Sequence, residues 1–180
     1  MKLFIVRHGQ TVWNKQKRTQ GRVHNRLSKE GIISSQKTAE KLKNIKIDYI
    51  FSSPLMRSIQ TANLINKYHN KKIIKDEHLT DIDQGYFTGR FFESLTKEEL
   101  QIKKRKDKSY GMESLHEMYI RVNDFLNFLK QNYYNSTILV VTHSGVASFL
   151  ELCIKYTNFN PEIFSRTDLF KNSEVKKFKL

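Results

Sequence analysis

Lys2-Leu3-Phe4-Ile5-Val6-Arg7-His8-Gly9 opens on an unbroken apolar run and turns abruptly into a basic pair and a glycine. A continuous run with β-branched side chains reads as a strand buried on both faces, and its polar end marks where the chain leaves the sheet. The same pattern recurs at Thr137-Ile138-Leu139-Val140-Val141-Thr142, which ends in His143-Ser144-Gly145. A shorter run, Asp48–Ser52, ends in Ser53 and Pro54, and Lys72–Lys75 and Glu174–Lys179 are further strand candidates.

Helical periods separate these runs. Ser28 is positioned to cap a helix reaching about Lys43, with Ile32, Ser35, Ala39 and Leu42 on its inner face. Ser53 and Pro54 form an N-cap and first-turn pair for a helix carrying Leu55, Ile59, Ala62 and Ile65. Leu115, Met118, Val122, Phe125, Leu126 and Leu129 mark one face of a long helix, and Val146, Phe149, Leu150 and Cys153 mark a last one from Ser144 to about Tyr156. Strands alternating with helices predict an α/β fold, a three-layer α/β/α sandwich around a mainly parallel central sheet. No Pro/Gly-rich linker divides residues 1–180, so a single domain is expected.

The 180 residues carry 32 Lys and Arg against 18 Asp and Glu, a formal charge of +14. Residues 1–29 hold no acid at all, and Lys97–Lys108 is a second basic cluster. Such surfaces attract anions: nucleic acid, anionic membrane or small phosphorylated molecules. No apolar run is long enough to span a bilayer, and no leader segment is recognisable, so no membrane partner is expected. Cys153 is the only cysteine, which excludes an intrachain disulfide and a cysteine-based metal cluster, and a cytoplasmic location is expected. No helix-turn-helix pattern or RNA-binding aromatic motif is present, so no nucleic acid partner is expected. Oligomeric state has no signature in the sequence.

Ligands of parallel sheets bind beyond the carboxyl ends of the strands. Three predicted strand ends deliver Arg7-His8-Gly9, Ser53 followed by Arg57, and Thr142-His143-Ser144-Gly145. Two arginines and two histidines at one rim suit a phosphoryl group. Guanidinium forks bind phosphate oxygens in pairs, and a neutral imidazole can accept the phosphoryl group covalently. Helix N-termini after Ser53 and His143 would add oriented N–H groups.

These residues resemble the signature of the histidine phosphatase superfamily, the phosphoglycerate-mutase-like fold. The likeness covers Arg7-His8-Gly9-Gln10-Thr11 with Trp13-Asn14, then Gln20-Gly21, Leu27-Ser28 with Gly31, and Ser53-Pro54-Leu55-Met56-Arg57 through Ala62. It continues through Gly111, Glu113, Ser114 and Arg121 to Val141-Thr142-His143-Ser144-Gly145, in the family's order and spacing. The resemblance implies a phosphomonoester hydrolase that works through a phosphohistidine, with no metal and no cofactor. His8 would be the nucleophile, and Arg7, Arg57 and His143 would hold the phosphoryl oxygens. Asn14, Gln20, Gly21 and Ser144 would line the substrate pocket.

The family's proton donor is usually a Glu two residues after a Leu. Here Leu79-Thr80-Asp81-Ile82-Asp83-Gln84-Gly85 with Gly89 keeps that frame but places Asp81 in the acid position, with Asp83 as the alternative. Other departures are His24, where Asp is common, which with Arg26 would make the phosphate rim more basic, and Ser34-Ser35 in place of Gln-Ala. The segment from about 86 to 113 is expected to be a short lid, with Phe87, Phe91, Phe92, Tyr110 and the Lys97–Lys108 cluster setting specificity. Family members act on sugar phosphates, phosphoglycerates, phosphoserine, α-ribazole phosphate and phosphoproteins. The shortness of that lid and Gln20-Gly21 favour a phosphatase acting on a small phosphorylated metabolite. A mutase-type phosphotransferase and a non-catalytic polyanion-binding module on the same fold are the alternatives.

Overall fold

A computed structural model describes residues 1–105, 108–156, 160–161 and 169–180. Lys106 and Asp107 of the second basic cluster lie outside them. The strands are β1 (Lys2–Arg7), β2 (Tyr49–Ser52), β3 (Ile73–Lys75), β4 (Thr137–Thr142) and β5 (Val175–Lys179), in the order β3-β2-β4-β1-β5. The first four run parallel, and β5 closes the edge antiparallel to β1. Helices are α1 (Val12–Lys15), α2 (Lys29–Leu42), α3 (Met56–Asn66), α4 (Lys97–Arg105), α5 (Leu115–Asn132) and α6 (Ser144–Lys155).

The period of two along each strand distributes side chains between two cores. Leu3 and Ile5 of β1, Phe51 of β2, and Ile138 and Val140 of β4 face one side, where Met118, Val122, Phe125, Leu126 and Leu129 of α5 and Val146, Phe149 and Leu150 of α6 cover them. Phe4, Val6, Ile50, Leu139 and Val141 face the other, against Ala39 and Leu42 of α2 and Ala62 and Ile65 of α3. Each fully buried large side chain contributes about 1.5–3 kcal/mol. Cys153 packs half-buried against the first core, and burial pushes its thiol up to about 11.

Two local expectations are corrected. Ile32 is 38% exposed, and the buried face of α2 is instead Gly31, Ser35, Thr38, Ala39 and Leu42. The cause is close packing: a Cβ on Gly31 would stand 1.9 Å from the Gln10 carbonyl oxygen, so that face accepts only small residues at its start. Helix α3 begins at Met56 behind an extended Leu55, so Ser53-Pro54 is a turn and not a cap. The capping expected of Ser28 does occur, its Oγ accepting from Gly31 N at 3.0 Å. Among the described residues no helix is long and apolar enough to cross a membrane.

Between β3 and α5 the chain makes short 3-10 turns at Gly85–Phe87, Phe92–Ser94 and Lys108–Tyr110, with α4 between the last two. Phe87, Leu95 and Met112 form a small cluster of their own there, joined by Leu100 and Ile102. Helix α4 was not evident from apolar periodicity, because Lys and Glu dominate its sequence.

Candidate active site

Strand register brings the reactive residues together. Arg7 of β1 is paired with Thr142 of β4, so His8 and His143 are the next residues on neighbouring strands. Parallel strands lie about 4.8 Å apart, and the two imidazole centroids stand 5.1 Å apart. One register step further along the sheet, Ser53 N donates to Val141 O at 3.0 Å, which brings Ser53 Oγ to 2.8 Å from His143 Nε2.

His8 is 2% exposed. Its Nδ1 lies 2.7 Å from the Gly9 carbonyl, an acceptor only, so Nδ1 carries the proton and Nε2 keeps a free electron pair. Burial comes first, then the closeness of a second imidazole, His143, beside which a charged His8 is disfavoured, and then the charges of Arg57 and Arg7; together they hold His8 well below the ordinary imidazole value. His8 is therefore neutral near pH 7, as a nucleophile must be. The loop behind it is fixed from several sides. Gly9 N donates to Thr61 Oγ1 at 3.0 Å, and Asn172 Nδ2 donates to His8 O at 3.1 Å. Ser34 and Ser35 pack there too, both within hydrogen-bond reach of Ser173 Oγ.

Arg57 is fully buried and engaged through all three nitrogens. Nε donates to His143 Nδ1 at 3.2 Å, NH1 to Val23 O at 2.7 Å, and NH2 to Gly21 O at 2.8 Å and Asp81 Oδ2 at 3.0 Å. The bond from Arg57 makes His143 Nδ1 an acceptor, so His143 Nε2 holds the ring proton and donates to Ser53 Oγ. Burial and the charges of Arg57, Arg121 and Arg7 hold His143 well below its ordinary value. A neutral ring makes the 3.6 Å approach of Asp81 to His143 a dipolar contact and not an ion pair. Arg7 NH1 donates to Phe170 O at 2.6 Å, while its Nε is buried without a hydrogen-bond partner among the described residues. A buried charged donor left in that state is costly, and an anion's oxygen would satisfy it.

These groups surround a cavity of about 440 Å³, within the usual range for small-molecule sites. Arg7, His8, Asn14, Asp81 and Ser144 form the wall at the sheet rim, with Gln20 and Gly21 beside them. Arg57 and His143 do not line it: Arg57 stands behind the wall, bonded to Gly21 and Asp81, and His143 is bonded in turn to Arg57 and Ser53. Gln20 is held by Thr11 Oγ1 at 2.9 Å, and Asn14 closes a capping box with Thr11. Asp83 does not line the cavity: its Oδ1 accepts from Gly85 N at 2.9 Å, shaping the turn beyond Asp81. His24 and Arg26 do not line it either, and His24 Nδ1 faces Met56 N at 3.4 Å. The remaining wall is Lys17, Arg18, Thr19, Gln84, Phe92 and Lys103. Of these, only Phe92 and Lys103 fall within the segments read from sequence as specificity-determining. The acid-free start of the chain signalled Lys17 and Arg18 only as charge.

The chain matches the histidine phosphatase superfamily (branch 1) over residues 3–179. It belongs to the histidine phosphatase superfamily. Phosphoserine phosphatase 1 of Hydrogenobacter thermophilus is 33% identical over 150 residues, covering 80% of this chain and 71% of that protein. PhoE, an uncharacterized phosphatase of Bacillus subtilis, is 32% identical over 162 residues, covering 89% and 80%. Among solved structures, a phosphoserine phosphatase of Entamoeba histolytica in complex with phosphoserine superposes with a TM-score of 0.82 at 26% identity, over 98% of this chain and 89% of that one. This histidine phosphatase is accordingly a phosphoric monoester hydrolase.

Proposed function

We propose that this histidine phosphatase cleaves its substrate in two transfers through a phosphohistidine on His8. The observation that carries the reading is the ring of His8 itself: neutral, buried, tied at Nδ1 to Gly9 O, and lining the cavity with Arg7, whose Nε has no hydrogen-bond partner among the described residues. In the first transfer His8 Nε2 attacks phosphorus while the ester P–O bond breaks in line with it. Arg7 and Asn14 line the cavity around the transferring group, and Arg57 and His143, directly behind that lining, add their charge and dipole to its stabilisation.

The leaving oxygen needs a proton, and Asp81 is the carboxyl group in the cavity wall. A substrate dianion competes with Asp81 for Arg57, and a carboxyl released from that cation can carry the proton to the leaving oxygen. Asp81 Oδ1 accepts from its neighbour Ile82 N at 3.0 Å, which holds the shorter side chain toward Arg57. In the second transfer water attacks the phosphohistidine, Asp81 takes the water proton, the P–N bond breaks and phosphate departs. His8 returns to its neutral form. No metal or cofactor enters either step. The segment 86–113 acts as a short lid, and its small size favours water over a second hydroxyl as the acceptor. Location in the cytoplasm is in keeping with a single cysteine.

The test is rapid quenching into alkaline detergent after mixing with a ³²P-labelled phosphomonoester. Labelled protein is expected from wild type and its label should be acid-labile and base-stable, as a phosphoramidate is. Wild-type turnover of p-nitrophenyl phosphate without any trapped label, or undiminished turnover in His8→Ala, would overturn the reading.

A further inference from the structure

Asp81 sits outside every helix and strand, between the 3-10 turns at Glu77–Leu79 and Gly85–Phe87. Its place in the cavity wall therefore depends on groups that reach the backbone around it. Upstream, Thr142 Oγ1 donates to Leu79 O at 2.7 Å and Arg121 NH1 donates to His78 O. Arg22 Nε donates to the Asp81 carbonyl itself at 3.2 Å. Downstream, Glu113 makes a two-way contact with Asp83. Asp83 N donates to Glu113 Oε2, and Glu113 N donates to Asp83 O, each at 3.2 Å.

Glu113 is where these ties meet. Its side chain is 8% exposed, and Arg121 grips it as a fork, Nε to Oε1 at 2.6 Å and NH2 to Oε2 at 2.9 Å. Arg22 NH2 approaches Oε1 from the open side at 3.4 Å. Arg121 belongs to α5, whose neighbouring turns are fixed in the core by Met118 and Val122. A carboxylate and a guanidinium taken out of water gain little stability over apolar side chains of the same volume. What the pair supplies is direction: the fork sets the Glu113 carboxylate, and the carboxylate sets the Asp83 amide. Glu113, Arg22 and Arg121 do not line the cavity, and neither transfer at His8 uses them.

We propose that Glu113, oriented by Arg121 and Arg22, is a positioning residue that holds Asp81 within reach of the leaving oxygen. The proposal rests on the reading of Asp81 as proton donor. An aspartate has one methylene between backbone and carboxyl, so an error in the backbone passes to the acid undiminished. A displacement of about 1 Å can cost 10²-fold in rate. A glutamate could turn its extra bond to make up the difference, and Asp81 has none to turn.

Glu113→Gln tests it, since glutamine keeps the shape and an acceptor for Asp83 N but loses the ion pairs to both arginines. For glycerol 2-phosphate, whose alkoxide leaves only with a proton, kcat/KM should fall by about tenfold or more. For p-nitrophenyl phosphate, whose leaving group needs no proton, it should stay within about twofold. In the Asp81→Asn protein the same substitution should add little, because no acid remains to be placed. A merely structural brace would lower kcat/KM equally for both substrates and would add its full loss to that of Asp81→Asn.

An equal loss on both substrates in Glu113→Gln, no loss on either, or a full added loss in the double variant overturns the positioning role. A selective loss in Asp81→Asn then leaves the acid reading standing. An equal loss on both substrates in Asp81→Asn brings down the acid reading and the positioning role with it. Should Glu113→Gln fail to fold, Arg22→Gln decides, its side chain being 45% exposed. It should show the same selectivity at about threefold, the weight of one hydrogen bond. A loss there without selectivity, or none, overturns the proposal.

Discussion

Where the sheet rim meets the cavity, each reactive side chain is held from several directions, whereas the facing wall hangs on 3-10 turns and one short helix. His8 is bonded through its ring, its amide and its carbonyl, the last two to Thr142 O at 2.9 Å and from Asn172 at 3.1 Å. Arg57 and His143 are fully buried, while Phe91 and Phe92 are each 48% exposed. The rim inherits its precision from strand register, which a parallel sheet fixes over its whole length. The facing wall takes its shape from side chains packed on turns, with Arg18 clamped between two rings. Chemistry that tolerates about 1 Å of error or less is placed on the first wall. On the proposed reading, contacts to the rest of the substrate would fall on the second, on turns away from the strands.

Substitutions should separate the walls by the size and kind of their effects. The largest loss is expected for His8→Ala, which removes the attacking atom: kcat with p-nitrophenyl phosphate should fall by at least about 10⁴-fold. Asp81→Asn comes next, with a loss of roughly 10²–10⁴-fold in kcat for alkyl phosphates. For p-nitrophenyl phosphate, whose leaving group needs no proton, the loss should be far smaller. Steady-state rates on the two substrate classes check this, and an equal loss on both would remove Asp81 from the acid role. Gly31→Ala probes the support of the rim without touching a reactive group. Its new Cβ would meet Gln10 O at 1.9 Å and Gln10 N at 2.8 Å, so the loop carrying His8 must move. A stability loss of about 3 kcal/mol in urea unfolding is expected.

How far the sequence alone reached follows the same division. The apolar runs of β1 and β4 announced a sheet buried on both sides, and their polar ends named Arg7, His8 and His143, because strand ends are where a backbone pattern turns directly into geometry. The pattern Ser53-Pro54 predicts a helix start earlier than Met56, because Ser53 bonds to His143 instead of capping α3, a role that belongs to tertiary contacts. Periodicity points Ile32 inward for a similar reason: Gly31 meets the Gln10 loop, a contact between segments that the period cannot register. The facing wall was visible only as basic composition. Nothing in Lys97–Lys108 distinguishes Lys103 from its neighbours until α4 is placed against Phe87 and residue 19. The frame from Leu79 to Gly89 favours Asp81 over Asp83, and the contacts that set them apart, Gly85 N on Asp83 and Arg57 on Asp81, lie in turn and tertiary geometry that spacing does not register.

The rim should also be the pH-sensitive part of the fold. His8 and His143 are both held well below the ordinary imidazole value of 6.5 by burial and neighbouring cations. Unfolded, each takes up a proton as pH falls through about 6.5, while the folded protein resists doing so until lower pH. The unfolded state then binds more protons, so stability is full above that value and is lost as pH falls below it. Each histidine should contribute a slope of up to about 1.4 kcal/mol per pH unit. Urea midpoints at pH 7.5 and 5.5 measure it, and the drop should shrink in His143→Asn. An undiminished drop would shift the pH sensitivity elsewhere in the molecule.

The smallest effect is expected on the facing wall. Phe91→Ala removes one of the two rings around Arg18, an exposed cation–π contact at 5.2 Å worth about 0.5–1 kcal/mol. Trp13 stays stacked at 4.1 Å, and the Gly89 carbonyl keeps its bond to Nε, so Arg18 retains two of its three restraints. The urea midpoint should therefore move far less than in Gly31→Ala. A loss as large as that of Gly31→Ala would mean that the aromatic clamp is as tightly coupled to the fold as the loop behind His8. In that case the two walls would not differ in how tightly they are held, and residues on this one could not be changed without unsettling the rim.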